Sequence, residues 1–115
     1  MQAIIRSISN DEFDIGTYKP ENPACFFLSL QIRIGSSEGL GADDFELGVC
    51  TPTWLIQNLY EPRWGRHLLI IREYDFSAIE KEIYSYVKQC DGDKWNIIAE
   101  KLGRIFAWEF EDYQQ

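Results

Sequence analysis

Residues 25–34, CFFLSLQIRI, alternate between two kinds of side chain. Phe26, Leu28, Leu30, Ile32 and Ile34 fall on one side; Phe27, Ser29, Gln31 and Arg33 fall on the other. A period of two belongs to a β-strand, whose successive side chains point to opposite faces. One apolar face and one wet face call for a sheet covered on one side and open on the other. Other parts of the chain must therefore supply strand neighbours and a cover.

The neighbours are legible. AIIRSI (3–8) reads as a first strand, with Ile4, Arg6 and Ile8 on one side. After a polar loop at 10–24 and the strand above, the glycine-rich turn GSSEGLGADD leads into Phe45, Leu47 and Val49. These alternate again and predict a third strand, antiparallel to the second. HLLIIRE (67–73) reads as a fourth, and its unbroken Leu68–Ile71 run predicts burial on both faces.

Helices supply the cover. Thr51 is a good N-cap and Pro52 suits a first helical position, so a short helix is predicted over Pro52–Leu59. Pro62 and Gly65 in YEPRWGR break it. Ser77 and Glu80 have capping-box spacing, with Asp75 as a rival cap. Phe76, Ile79, Ile83, Val87 and Cys90 then lie on one helical stripe. Asp93 is the expected cap of a third helix with Trp95, Ile98, Ala99 and Leu102 as its apolar face and Gly103 at its end. RIFAWEFEDY (104–113) fits either a last strand or a packed tail. The fold class expected is α+β. A single domain over 1–115 would hold an antiparallel sheet of four to five strands, with about three helices packed mainly on one face.

Charge narrows the function. Nineteen acidic residues face eleven basic ones, a net charge of −8. That balance opposes nucleic acid and anionic membranes, which need a cationic footprint, and favours a basic protein partner. Solubility alone explains acidity in many proteins. Cys25, Cys50 and Cys90 form no CxxC pair and read as reduced thiols. The N-terminus resembles no signal peptide and no run approaches a membrane span, so a cytoplasmic protein is expected.

Catalytic equipment is sparse. His67 is the single histidine and reads as a strand-edge residue with a backbone partner. A Cys50–His67 pair is geometrically open, with nothing local to support it. The acidic loops lack calcium-loop spacing, and GLG (39–41) is no phosphate loop, so no metal and no cofactor are expected. Trp54, Trp95 and Trp108 sit among apolar neighbours and are expected in the core. Trp64 in PRWGR is expected to tuck under its loop; left exposed beside arginine, it would make an interface anchor.

The most suggestive pattern is acids interleaved with aromatics: DEFD (11–14), DDFE (43–46) and WEFEDY (108–113). With the apolar residues inward, the carboxylates form outward ridges able to pair with lysine and arginine. Ordinary strand alternation produces the same pattern without a partner. The candidate partner-binding residues are Asp43, Asp44 and Glu46 first, then Glu109, Glu111 and Asp112, with Trp64.

Taken in order, IRIGSSEGLGADDFELGVCTPTWL (32–55), WGRHLLIIREYDF (64–76), the Trp95–Ile98–Leu102 helix and WEFEDY (108–113) resemble the immunity protein 8 family. That family belongs to bacterial polymorphic-toxin systems, including contact-dependent growth inhibition. The resemblance spans 3–113 and implies an α+β, non-enzymatic, cytoplasmic protein that neutralises a cognate toxin domain, often a basic nuclease. It implies structural roles for Pro52, Trp54, Gly65 and Trp108 and hands over no binding residues. Two other readings stay open: an acidic regulatory module for a non-toxin partner, and a small enzyme using His67.

Overall fold

A computed structural model describes residues 1–111. In chain order the elements are β1 (Ala3–Ser9), β2 (Phe27–Ser36), β3 (Asp43–Cys50), α1 (Pro52–Asn58), β4 (Leu68–Ile70), α2 (Phe76–Lys88), α3 (Trp95–Leu102) and β5 (Ala107–Trp108). The fold is α+β, as the alternating and helical periodicities require. β2 is the strand whose alternation stood out. Leu28, Leu30, Ile32 and Ile34 are buried, while Phe27 and Arg33 are exposed. β3 runs antiparallel beside it, from Phe27 opposite Cys50 to Ile34 opposite Asp43. Large apolar residues therefore face their counterparts on the inner side, Leu28 with Val49 and Leu30 with Leu47.

The sheet is mixed where an antiparallel one was expected. β1–β2, β2–β3 and β3–β5 are antiparallel, but β3–β4 is parallel, with Gly48 opposite Leu68 and Cys50 opposite Ile70. The reason is the connection. The chain leaves β3 through α1 and residues 59–67 before re-entering, and only such a crossover can make two neighbours parallel. β4 and β5 both lie against β3, on different stretches of it.

Two strand expectations need correction. β1 does not keep Ile4, Arg6 and Ile8 on one side. A bulge between Ile5 and Ser7 breaks the register, so Ala3, Ile5 and Ile8 turn to the core and Ile4 is exposed. Arg6 sits in the bulge, its guanidinium donating to the carbonyls of Ser36 (2.9 Å) and Gly39 (2.7 Å). β4 is three residues long and is not buried on both faces. Leu69 and Ile71 pack on the core, but Ile70 points outward and is exposed. Its apolar run reflects an outer surface that is itself apolar.

α2 and α3 cover the inner face. Asp75, not Ser77, caps α2 by accepting from the amide of Ala78 (3.2 Å). Ile79, Ile83 and Val87 are buried, with Ile98, Ala99 and Leu102 of α3. Together with the inner residues of β2 and β3 and with Phe106 they form one core. Each fully buried side chain of this size contributes about 1.5–3 kcal/mol. Asp93 does not cap α3. The helix starts one residue later, after Lys94, where the indole of Trp95 is anchored. Gly103 closes α3 in ordinary right-handed geometry. No described helix is long and apolar enough to cross a membrane.

α1 stands apart from this core. Buried Thr51 fixes its start, the hydroxyl accepting from the amides of Trp54 (3.3 Å) and Phe26 (3.2 Å). None of the helix's own residues is buried. Trp54, expected in the core, is half-buried on the outer face, its ring 4.8 Å from that of Phe27. Gly48 makes room for this arrangement: a Cβ there would meet Leu68 Cδ2 at 2.8 Å and Phe27 Cζ at 3.0 Å.

Candidate functional site: the outer sheet face

Pairing of β5 with β3 brings two of the three acid–aromatic segments together. Phe45 lies opposite Trp108 and Glu46 opposite Ala107. Inward, Phe45 stacks on Trp108 (centroids 6.5 Å) and meets Phe106 edge-on (6.4 Å). Outward, Asp44 and Glu46 emerge from β3, with Glu109 alongside. The Glu109 amide donates to the Asp44 carbonyl (3.1 Å), and its carboxylate accepts from the Asp44 amide (2.7 Å). The third segment is elsewhere. Phe13 packs on Tyr18 (4.7 Å), Tyr18 on Tyr74 (5.5 Å), and Asp14 caps a local turn at Gly16 (2.9 Å).

The carboxylates of these segments are not equivalent, and Asp43 shares the inner side of β3 with Phe45. Asp43 is half-buried, and its Oδ2 accepts from two indoles, Trp95 Nε1 (2.7 Å) and Trp108 Nε1 (2.9 Å). It ties β3, α3 and β5 together. Asp44 pairs with Arg33 across the β2–β3 ladder (2.8 Å), with both side chains about half exposed. Glu111 pairs with Arg66 (2.7 Å), which fastens the C-terminal segment to the crossover loop. Glu46 is exposed and accepts from the Ser29 hydroxyl (3.0 Å). Among the described residues no ion pair engages Glu46 or Glu109. These two carry the uncompensated charge of the ridge. Asp112 lies outside the described residues.

Trp64 is not tucked under its loop. It is 91% exposed, with Tyr60 at 89% and Ile56 at 80% on the same crossover. Proline and glycine around it turn the chain without giving the ring a pocket. Sequence reasoning named Trp64 but missed Ile56 and Tyr60. The missed signal was a helix whose apolar residues follow no single buried stripe.

His67 opens β4 with its backbone carbonyl accepting from the Gly48 amide (2.9 Å), and it adopts φ 60°, the left-handed region. Its Nε2 is buried and finds no hydrogen-bond partner among the described residues. Burial pushes the Cys50 thiol pKa upward, with Arg63 opposing as the smaller effect. An activated thiol needs the opposite shift. Among the described residues no group of three His, Cys, Asp or Glu side chains is placed to hold a metal ion.

Comparison with known proteins places this architecture. A family model described as Immunity protein 8 matches residues 3–113, nearly the whole chain. No curated protein and no solved structure matches it.

Proposed function

The chain belongs to the immunity protein 8 family, and from that premise we propose that its acidic outer sheet face docks over the active cleft of a basic toxin nuclease and excludes substrate. An immunity protein acts by binding a cognate toxin; the face, the toxin's charge and the blocked cleft are our reading. The observation that carries it is the pairing of β5 with β3, which brings Asp44, Glu46 and Glu109 together on the outer side of the sheet, with Glu46 and Glu109 uncompensated among the described residues.

Electrostatics gives the mechanism its kinetics. Net charge of −8 steers a cationic partner and raises the association rate, more at low salt than at high. Glu46 and Glu109 meet lysine or arginine of the toxin cleft where a phosphodiester would otherwise sit. Asp44 exchanges between Arg33 and a toxin cation with little reorganisation, because its present pair is half-exposed. The toxin acts in the cytoplasm of the cell that carries the immunity protein, as in contact-dependent growth inhibition, and the two meet there.

The test is charge reversal at Glu46 and Glu109, singly and together, against the cognate toxin domain. The expected result is a fall of tenfold or more in association rate at low salt and a shallower salt dependence. Unchanged rate and salt slope would remove the face from the mechanism. Asp43 is unsuitable for this test because its carboxylate also holds two tryptophans.

A further inference from the structure

The outer face changes character along β3. Asp44 and Glu46 project at one end. Two residues on, Gly48 is roofed by Phe27 and Leu68, and beyond it Ile70 is exposed. Residues two apart on a strand are about 7 Å apart on the same face, so the acidic ridge runs directly into an apolar surface. The crossover connection extends that surface. Ile56, Leu59, Tyr60 and Trp64 are all exposed within residues 56–64, and α1 buries none of its own side chains. Large apolar side chains held in water to this extent cost hydration free energy, and a group of them marks a contact surface. The Arg66–Glu111 pair (2.7 Å) moors the loop beside the acidic segment two residues after Trp64.

We propose that Trp64 and Tyr60, with Ile56, are the desolvated anchor of the toxin interface, and that they enter an apolar recess on the toxin bordered by lysine and arginine. This rests on the immunity reading above and adds to it where affinity resides. The argument for a basic toxin as occupant is charge complementarity. The Arg66–Glu111 pair holds the loop of Trp64 beside the segment that carries Glu109, so a partner covering one covers the other, and its border must be cationic. Charged residues at a rim govern encounter, whereas tryptophan and tyrosine at a desolvated centre govern dissociation.

The experiment measures association and dissociation rates of the cognate toxin domain with Trp64→Ala, Tyr60→Ala and Ile56→Ala variants across a salt series. Thermal unfolding serves as a control for folding. These side chains are exposed, so the variants are expected to melt like the parent. The expected result is a hundredfold or greater loss of affinity for Trp64→Ala and at least tenfold for Tyr60→Ala. Nearly all of it should appear in dissociation, with an unchanged salt slope. Parent protein that binds the toxin while Trp64→Ala and Tyr60→Ala stay within twofold of it overturns the anchor and leaves the immunity reading standing. Parent protein that fails to bind the toxin overturns both. Sedimentation supplies a separate check. A parent dimer that Trp64→Ala converts to monomer, with toxin affinity unchanged, assigns the surface to a second copy of this chain and overturns the proposal.

Discussion

Asp43 shows how a charged side chain that reads as surface becomes a joint. Its Oδ2 accepts from the indoles of Trp95 and Trp108, which lie 52 and 65 residues away in the chain. Removing the carboxylate leaves two half-buried N–H donors unpaired, each costing about 1–3 kcal/mol. Asp43→Ala is therefore expected to lower unfolding free energy by about 2–6 kcal/mol, and Asp43→Asn by distinctly less because an acceptor oxygen remains. Urea denaturation of both variants checks this, and equal losses would speak against the two-indole joint. The sequence displays the acid and both tryptophans but not their meeting, which depends on β5 returning to β3. Trp64 teaches the converse. It was expected to tuck under its loop, with exposure beside arginine as the other reading, and the turn around Pro62 and Gly65 leaves it in solvent.

At the scale of elements, legibility follows whether a segment's own period decides its environment. β2, β3 and α2 were readable because one face of each is buried throughout and the alternation or stripe repeats it. β1 was misread because a single bulge shifts every later side chain to the other face. β4 was misread because a run of apolar residues does not say whether both faces are covered. α1 was readable from its cap, and that cap is its chief attachment. Thr51 serves two amides from a fully buried position, so Thr51→Ala is expected to cost about 1–2 kcal/mol. Loss of toxin affinity beyond the change in stability should accompany it, since α1 carries part of the anchor. Gly35 is equally constrained in the sheet: a Cβ there would overlap the carbonyl of Gly41, which closes the turn after β2. Gly35→Ala is expected to destabilise by about 1–3 kcal/mol, read from the urea midpoint.

For the whole molecule, the two layers divide the work. The inner face, sealed by α2 and α3, holds the fold; the outer face is the one we propose meets the partner. Burial pushes the pKa values of Cys50, Cys90, Tyr18, Tyr74 and Tyr86 upward. The unfolded chain then releases these protons first, so stability is full below the ordinary thiol range of about 8.5 and declines as pH rises beyond it. Urea midpoints at pH 7 and pH 10 are expected to differ in that direction, and a flat profile would contradict it. The same burial predicts that native protein at neutral pH exposes only Cys25 to a thiol reagent, whereas Cys50 and Cys90 react after unfolding. The central claim, that an acidic outer face neutralises a toxin, meets its most direct test in a titration of the cognate toxin domain. Its activity, proposed to be nucleolytic, would be followed as immunity protein is added. The account predicts that activity disappears at one equivalent and returns when Glu46 and Glu109 are both reversed in charge. Activity that persists at saturating immunity protein would contradict it.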